Sequence, residues 1–180
     1  MISQVASRYA QALFELADEQ NQASEIYSEI VDLNDVISSN ENLYDVLRSP
    51  FIAKGEKRGV ASELFANKVS KDSKNFLMVL IDSDRTTELS SIVQAYKQML
   101  NDKFNIAEGQ VLTAIALSTE QISELEEKLS AKYNKDVRLT NKIDKDILGG
   151  VLVKIGNEEI DGTVKSRLGD LSEILSQVIS

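Results

Sequence analysis

From residue 4 to residue 104 the hydrophobic positions recur every three or four residues, the spacing that gathers them on one side of a helix. Breaks at Asn21 and around residues 38–40, 49–50, 68–73 and 82–86 divide this stretch into six predicted helices. In the sixth, Leu89, Ile92, Val93, Tyr96, Leu100 and Phe104 form a single stripe, expected to be core, while Glu88, Gln94, Lys97 and Asp102 fall on other faces.

The first and fifth helices carry more apolar surface than one core needs. In the first, Val5, Tyr9, Ala12 and Leu16 lie on one line and Ala6, Ala10, Leu13 and Ala17 on the next, with Phe14 widening the arc to about half the circumference. The fifth places Phe76, Leu77, Met78, Val79, Leu80 and Ile81 in consecutive positions and is apolar all round. Two readings are open: central places in the bundle, or core on one side and a partner helix on the other. An exposed groove between the two helices follows from the second.

After Phe104 the period drops to two. Residues 110–117 read as a strand with Val111, Thr113, Ile115 and Leu117 on one face, so a domain boundary is expected between 104 and 105. Ser118 and Gln121 have the spacing of a capping box, opening a helix through Ile122, Leu125 and Leu129 that ends near Tyr133. Short strands follow at 137–139 and at Val151, Val153 and Ile155, with a turn at Gly156-Asn157 and a return through Glu159 and Ile160. Asp161-Gly162-Thr163 then leads into a last helix whose Val164, Leu168, Leu171, Leu175 and Val178 are spaced as a short heptad seam. That seam either lies on the sheet or meets a partner. The predicted fold is mainly α: a six-helix bundle over residues 1–104 and a small α+β domain over 105–180.

Composition narrows the chemistry. The net charge is −9, with 16 acids to 11 bases in residues 1–104 and 13 to 9 in residues 105–180. No basic region is hidden behind the total, so nucleic acid is not an expected partner. The chain has no histidine, cysteine or tryptophan, which removes the imidazole base, the thiolate nucleophile and the usual zinc ligands. No catalytic residue, cofactor or metal site is expected. The longest purely apolar run, residues 76–81, is far shorter than the roughly 20 residues that span a bilayer, and the N-terminal segment has the pattern of neither a secretory signal nor a transit peptide.

Five of the eight glycines fall between residues 137 and 171, but neither G-x-x-x-x-G-K-[ST] nor G-x-G-x-x-G occurs. Gly149 and Gly150 are expected to serve a backbone bend or close packing. Residues 141–146 (NKIDKD) read as solvated turn residues, with Asp144 a candidate cap. The residues alone point to an acidic two-domain scaffold or adaptor protein, outranking an enzyme.

Three segments carry a resemblance: RYAQALFELA at 8–17, NFLMVLIDSDR at 75–85 and, most specifically, KIDKDILGGVLVKIGNEEIDGTVKSRL at 142–168. The last combines I-D-x-x-[IL]-x-G-G-[VI]-x-[VI]-x-x-G with a following I-D-G-[ST]-V. Together they resemble the delta subunit family of bacterial F-type ATP synthase, which includes the mitochondrial oligomycin-sensitivity-conferring protein.

The resemblance implies a non-catalytic stator subunit that tethers the catalytic head to the peripheral stalk, so that rotation stays coupled to proton transport and ATP synthesis. It implies that an N-terminal helix of an alpha subunit docks between the first and fifth helices, carried over here to Val5, Tyr9, Ala12 and Leu16 and to Asn75, Val79 and Ser83. It also implies that the b subunits of the stalk meet the C-terminal domain, for which Leu168, Leu171, Leu175 and Val178 are the candidates. Membrane association would be indirect, at the cytoplasmic face of the bacterial membrane. The alternative is a helical adaptor or regulator of another multiprotein assembly.

Overall fold

The computed structural model describes residues 3–66, 68–166 and 168, and the chain divides into two compact units, Met1–Leu100 and Asn101–Ser180. The division falls four residues before the change of period at Phe104. The chain is mainly helical, and among the described residues the strands form one small sheet in the second unit.

The first unit contains α1 (Gln4–Glu19), α2 (Ala23–Ser39), α3 (Glu41–Arg48), α4 (Lys54–Leu64), α5 (Lys71–Asp82), a short 3-10 turn (Thr86–Glu88) and most of α6 (Leu89–Lys103). Local chemistry marks the helix starts. Ser3, Asn40 and Ser70 each accept a hydrogen bond from a backbone N–H three residues on, satisfying a donor that the first helical turn leaves free. Helix ends fall where a side chain tolerates the left-handed region: Asn21 (φ 56°) follows α1, Asp84 (φ 54°) follows α5 and Asn105 (φ 56°) follows α6. After α1 and α5 the chain also closes on itself, with Gln22 N–H donating to Ala17 O and Arg85 N–H to Leu80 O, both at 2.8 Å.

The core of this unit draws Ala6, Ala10, Leu13 and Ala17 from α1, Ile26, Ile30, Leu33 and Ile37 from α2, and Phe76, Leu77, Leu80 and Ile81 from α5. From α6 it takes Leu89, Ile92, Ala95 and Tyr96. The Tyr96 hydroxyl donates to Ala23 O at 3.0 Å, and the ring packs between Phe14, edge-on, and Tyr27, stacked. Burial pushes the phenol up to about 12. The α6 stripe is shorter than the pattern suggested. Val93 and Leu100 are partly buried, but Phe104 is exposed, because the helix has ended and Asn105 turns the chain away.

The second unit is a sheet of β1 (Ile106–Thr113), β2 (Asp136–Ile143), β3 (Val151–Ile155) and β4 (Glu158–Asp161), with α7 (Thr119–Tyr133) between β1 and β2. The strand order is β2-β1-β3-β4. β1 and β2 run parallel, as the α7 crossover requires, whereas β3 is antiparallel to both β1 and β4. Val111, Val137, Val153 and Ile155 from the strands and Leu129 from α7 form the core. The Ser118–Gln121 capping box opens α7 in full. From α7, Ser130 Oγ and Glu126 Oε1 accept the N–H groups of Val137 and Leu139, occupying outward donors of the edge strand β2.

Three expectations are corrected here. β1 begins at Ile106 and ends at Thr113, earlier than residues 110–117, so Ile115 is 76% exposed instead of sharing the core face. Gly109 lies inside the strand, where a Cβ would come within 2.7 Å of Ile155 Cγ1 and 2.8 Å of Lys154 O. The second strand runs on through Ile143, and Asn141 is a structural residue instead of a solvated turn residue. Its amide donates to Val111 O and Thr113 Oγ1 and accepts from Leu117 N–H. At Gly150 (φ 84°) a Cβ would sit 2.4 Å from Gly162 O, so this glycine serves a close backbone crossing.

Candidate functional site

The two apolar lines of α1 have different fates. Ala6, Ala10, Leu13 and Ala17 are buried, whereas Val5 and Tyr9 are partly exposed and Ala12 and Leu16 exposed, Leu16 by 43%. α5 divides in the same way. Phe76, Leu77, Leu80 and Ile81 are buried and Met78 partly so, but Val79 is 50% exposed, in line with exposed Asn75 and Ser83 one turn to either side. Of the two readings left open for the fifth helix, a central place in the bundle is met on one side only; the line through Val79 faces solvent.

α1 and α5 meet through side chains near both ends. The Tyr9 and Phe76 rings touch edge-on, Gln20 Nε2 donates to Asp72 Oδ2 at 3.1 Å, and Ser3 Oγ donates to Glu88 Oε2 at 2.6 Å just beyond α5. Low positions on α1 thus lie near high positions on the α5 side, so the two helices run antiparallel. At the end where α1 starts, Val5, Arg8, Tyr9, Ala12 and Arg85 line a cleft of about 330 Å³.

This cleft brings together three of the seven head-side residues expected from sequence, Val5, Tyr9 and Ala12. Leu16 lies farther along the same face of α1, and Asn75 and Val79 of α5 and Ser83 at its C-cap are surface residues that do not enter the cleft wall. Ser83 has a local task as well: its hydroxyl donates to Val79 O at 2.7 Å where the helix stops. Arg8 and Arg85 line the cleft without having been singled out. Both stand inside the segments that carried the resemblance, and Arg8 falls one turn after Val5.

The turn that presents Arg85 is held from α4. Lys54 Nζ reaches Asp82 O at 2.5 Å and the Asp84 carboxylate at 2.8 Å, buried Lys57 approaches Asp84 at 3.8 Å, and Arg58 forms a two-pronged pair with Asp82. A cation at the carbonyl end of a helix is electrostatically favourable. Hydrogen bonding from Lys54 holds the Asp84 carboxyl below its ordinary value, and Asp82 raises the Arg58 guanidinium.

A second cleft of about 270 Å³ is lined by Asp32, Leu33, Asp35 and Val36 of α2 with Phe65, Lys68 and Val69. In the second unit, Leu168 is 61% exposed and Val164 also lies at the surface; Leu171, Leu175 and Val178 lie outside the described residues. Among the described residues, no cluster of three or more Asp or Glu could hold a metal ion, and no helix is long and apolar enough to cross a membrane.

Residues 5–175 match the family model described as ATP synthase delta (OSCP) subunit. Among curated proteins, the chain is 48% identical over 181 residues to ATP synthase subunit delta of Clostridioides difficile (strain 630), covering 100% of both chains. It is 36% identical to ATP synthase subunit delta of Alkaliphilus metalliredigens (strain QYMF), covering 99% of each. Among solved structures, a chain of the Toxoplasma gondii mitochondrial ATP synthase hexamer superposes with a TM-score of 0.71 at 22% identity over 99% of both chains. A chain of the Polytomella F-ATP synthase, from a refinement focussed on F1 head and rotor, gives 0.52 at 19% identity over 57% of this chain and 92% of that one. These two likenesses concern the fold.

Proposed function

The chain belongs to the ATP synthase delta (OSCP) subunit family, and from that premise we propose how its two units share the work of a tether. The subunit is a non-catalytic part of the enzyme's stator and a peripheral component of the complex, associated with the F1 head. Rotary catalysis exerts a torque on that head, and the stator resists it.

The six-helix bundle α1–α6 grips the head by seating an alpha subunit's N-terminal helix along α1, over Val5, Tyr9, Ala12 and Leu16, with Asn75, Val79 and Ser83 of α5 as the opposite bank. The observation that carries this reading is the solvent-facing line Val5, Tyr9, Ala12 and Leu16 of α1, with Val79 at the surface of α5, on two helices that each bury a second apolar line in the core. An amphipathic helix laid in such a groove buries its own apolar face there. The second unit holds the b subunits of the peripheral stalk through the seam of Leu168, Leu171, Leu175 and Val178, at the cytoplasmic face of the bacterial membrane. Holding one partner at each end makes the assembly multivalent, so a modest contact at one end persists while the other stays engaged.

A peptide copying the first twenty or so residues of the alpha subunit from the same organism tests the head-side assignment. It should bind the full-length chain in a calorimetric titration, and Val79→Ala should weaken that binding. No detectable heat with a correctly folded chain removes the assignment.

A further inference from the structure

We propose that Arg8 and Arg85 make the α1 cleft selective for a helix that carries a carboxylate beside its apolar ridge; this rests on the cleft being the seat of the alpha subunit helix. Both charged residues in the cleft wall are arginines, in a chain whose net charge is −9. Local charge therefore opposes the global field.

Neither guanidinium makes a hydrogen bond or ion pair with any described residue, and both side chains belong to exposed residues. Of the carboxylates nearest Arg85 in sequence, Asp82 pairs with Arg58 and Asp84 with Lys54 and Lys57, while Glu88 accepts from the Ser3 hydroxyl and pairs with neither cleft arginine. Along α1, the positions three and four residues from Arg8 are Gln4, Val5, Gln11 and Ala12, none of them acidic. The protein thus leaves two guanidinium groups unneutralised beside an apolar floor of Val5, Tyr9 and Ala12.

A guanidinium presents a planar fork of donors that matches a carboxylate. A helix with an apolar ridge and an adjacent Glu or Asp satisfies floor and rim together. A basic amphipathic helix, which the overall acidity would otherwise attract, meets like charge at the cleft and is disfavoured there. The turn carrying Arg85 is fixed in advance by the Lys54 and Lys57 contacts to Asp84 and by the Arg85 N–H bond to Leu80 O, so little ordering remains for binding.

The test titrates the same alpha subunit peptide into three full-length proteins, at low and high salt: wild type, Arg8→Gln/Arg85→Gln and Arg8→Glu/Arg85→Glu. Neutralising both arginines should weaken binding roughly threefold to thirtyfold, and reversing them should weaken it by a further factor of about ten or more. High salt should weaken wild-type binding and leave the neutral variant nearly unchanged. Replacing the facing acidic residue of the peptide with Lys should restore binding to the reversed variant and impair it with wild type. Wild-type binding that all three proteins share within about twofold overturns the proposal while leaving the seat intact. No binding to wild type overturns the seat itself, and the selectivity falls with it.

Discussion

Tyr9 of α1 meets Phe76 of α5 edge-on, with ring centroids 6.4 Å apart and planes inclined at 70°. Phe76 belongs to the buried core, and Tyr9 is at once packed against that core and part of the cleft wall. Under the proposed docking, one side chain serves both stability and recognition, whereas exposed Ala12 belongs to the cleft alone.

Tyr9→Ala should lower the stability of the first unit by about 1–3 kcal/mol, through lost aromatic packing and buried area, and also weaken peptide binding. Ala12→Lys, at an exposed helical position, should leave stability within about 0.5 kcal/mol while obstructing the cleft. Denaturant melts beside calorimetric titrations measure both. Equal effects of the two variants on stability would count against the division of roles.

The carboxyl of Asp84 should titrate below its ordinary value of 3.8, because Lys54 donates to its charged form. A depressed folded-state pKa means that its contribution to stability is present above pH 3.8 and fades as pH falls through the lower, folded value. Carbon-13 NMR of the side-chain carboxyl should show the depressed midpoint, and Lys54→Met should return it toward the ordinary value. A midpoint insensitive to Lys54→Met would remove the α4 clasp from the account.

Leu139 N–H donates to Glu126 Oε1 at 2.7 Å. Glu126→Ala deprives a partly buried edge-strand amide of its acceptor, which should cost about 1–2 kcal/mol. Amide exchange at Leu139 should accelerate, while exchange at Val137, served by Ser130, should change less. Uniform acceleration across β2 would instead mean that Glu126 supports the whole strand.

Gly150→Ala should destabilise the second unit by several kcal/mol, since the added Cβ meets the Gly162 carbonyl at 2.4 Å and the φ of 84° is itself strained for alanine. Peptide binding at α1 should survive, because every residue of that cleft belongs to the first unit. A thermal melt followed by near-ultraviolet and far-ultraviolet dichroism, with binding measured on the same sample, checks both halves of this expectation.

The features legible in the sequence were those set locally. The Ser118–Gln121 box, the breaks at Asn21 and near Asp84 and the Gly156-Asn157 hairpin depend on a few adjacent residues. The double apolar line of α1 was equally visible, though not which line would be covered. What escaped was set across the chain. Gly109 is internal to β1 because Leu139 and Ile155 close over it, and Asn141 finds its partners in β1 and at Leu117, 24 to 30 residues away. Arg8 and Arg85 stand 77 positions apart, so the shared cleft that gives them meaning has no trace in linear spacing.

The sheet has two edges, β2 and β4. Side chains of α7 occupy outward amides of β2, and β4 consists of Glu158, Glu159, Ile160 and Asp161. One border has its Val137 and Leu139 donors occupied, and the other carries three carboxylates, of which Glu159 pairs with Lys154 and the rest disfavour an identical border on a second molecule. A strand from an identical copy would therefore find two donors of β2 already taken, and at β4 would meet its own acidic border.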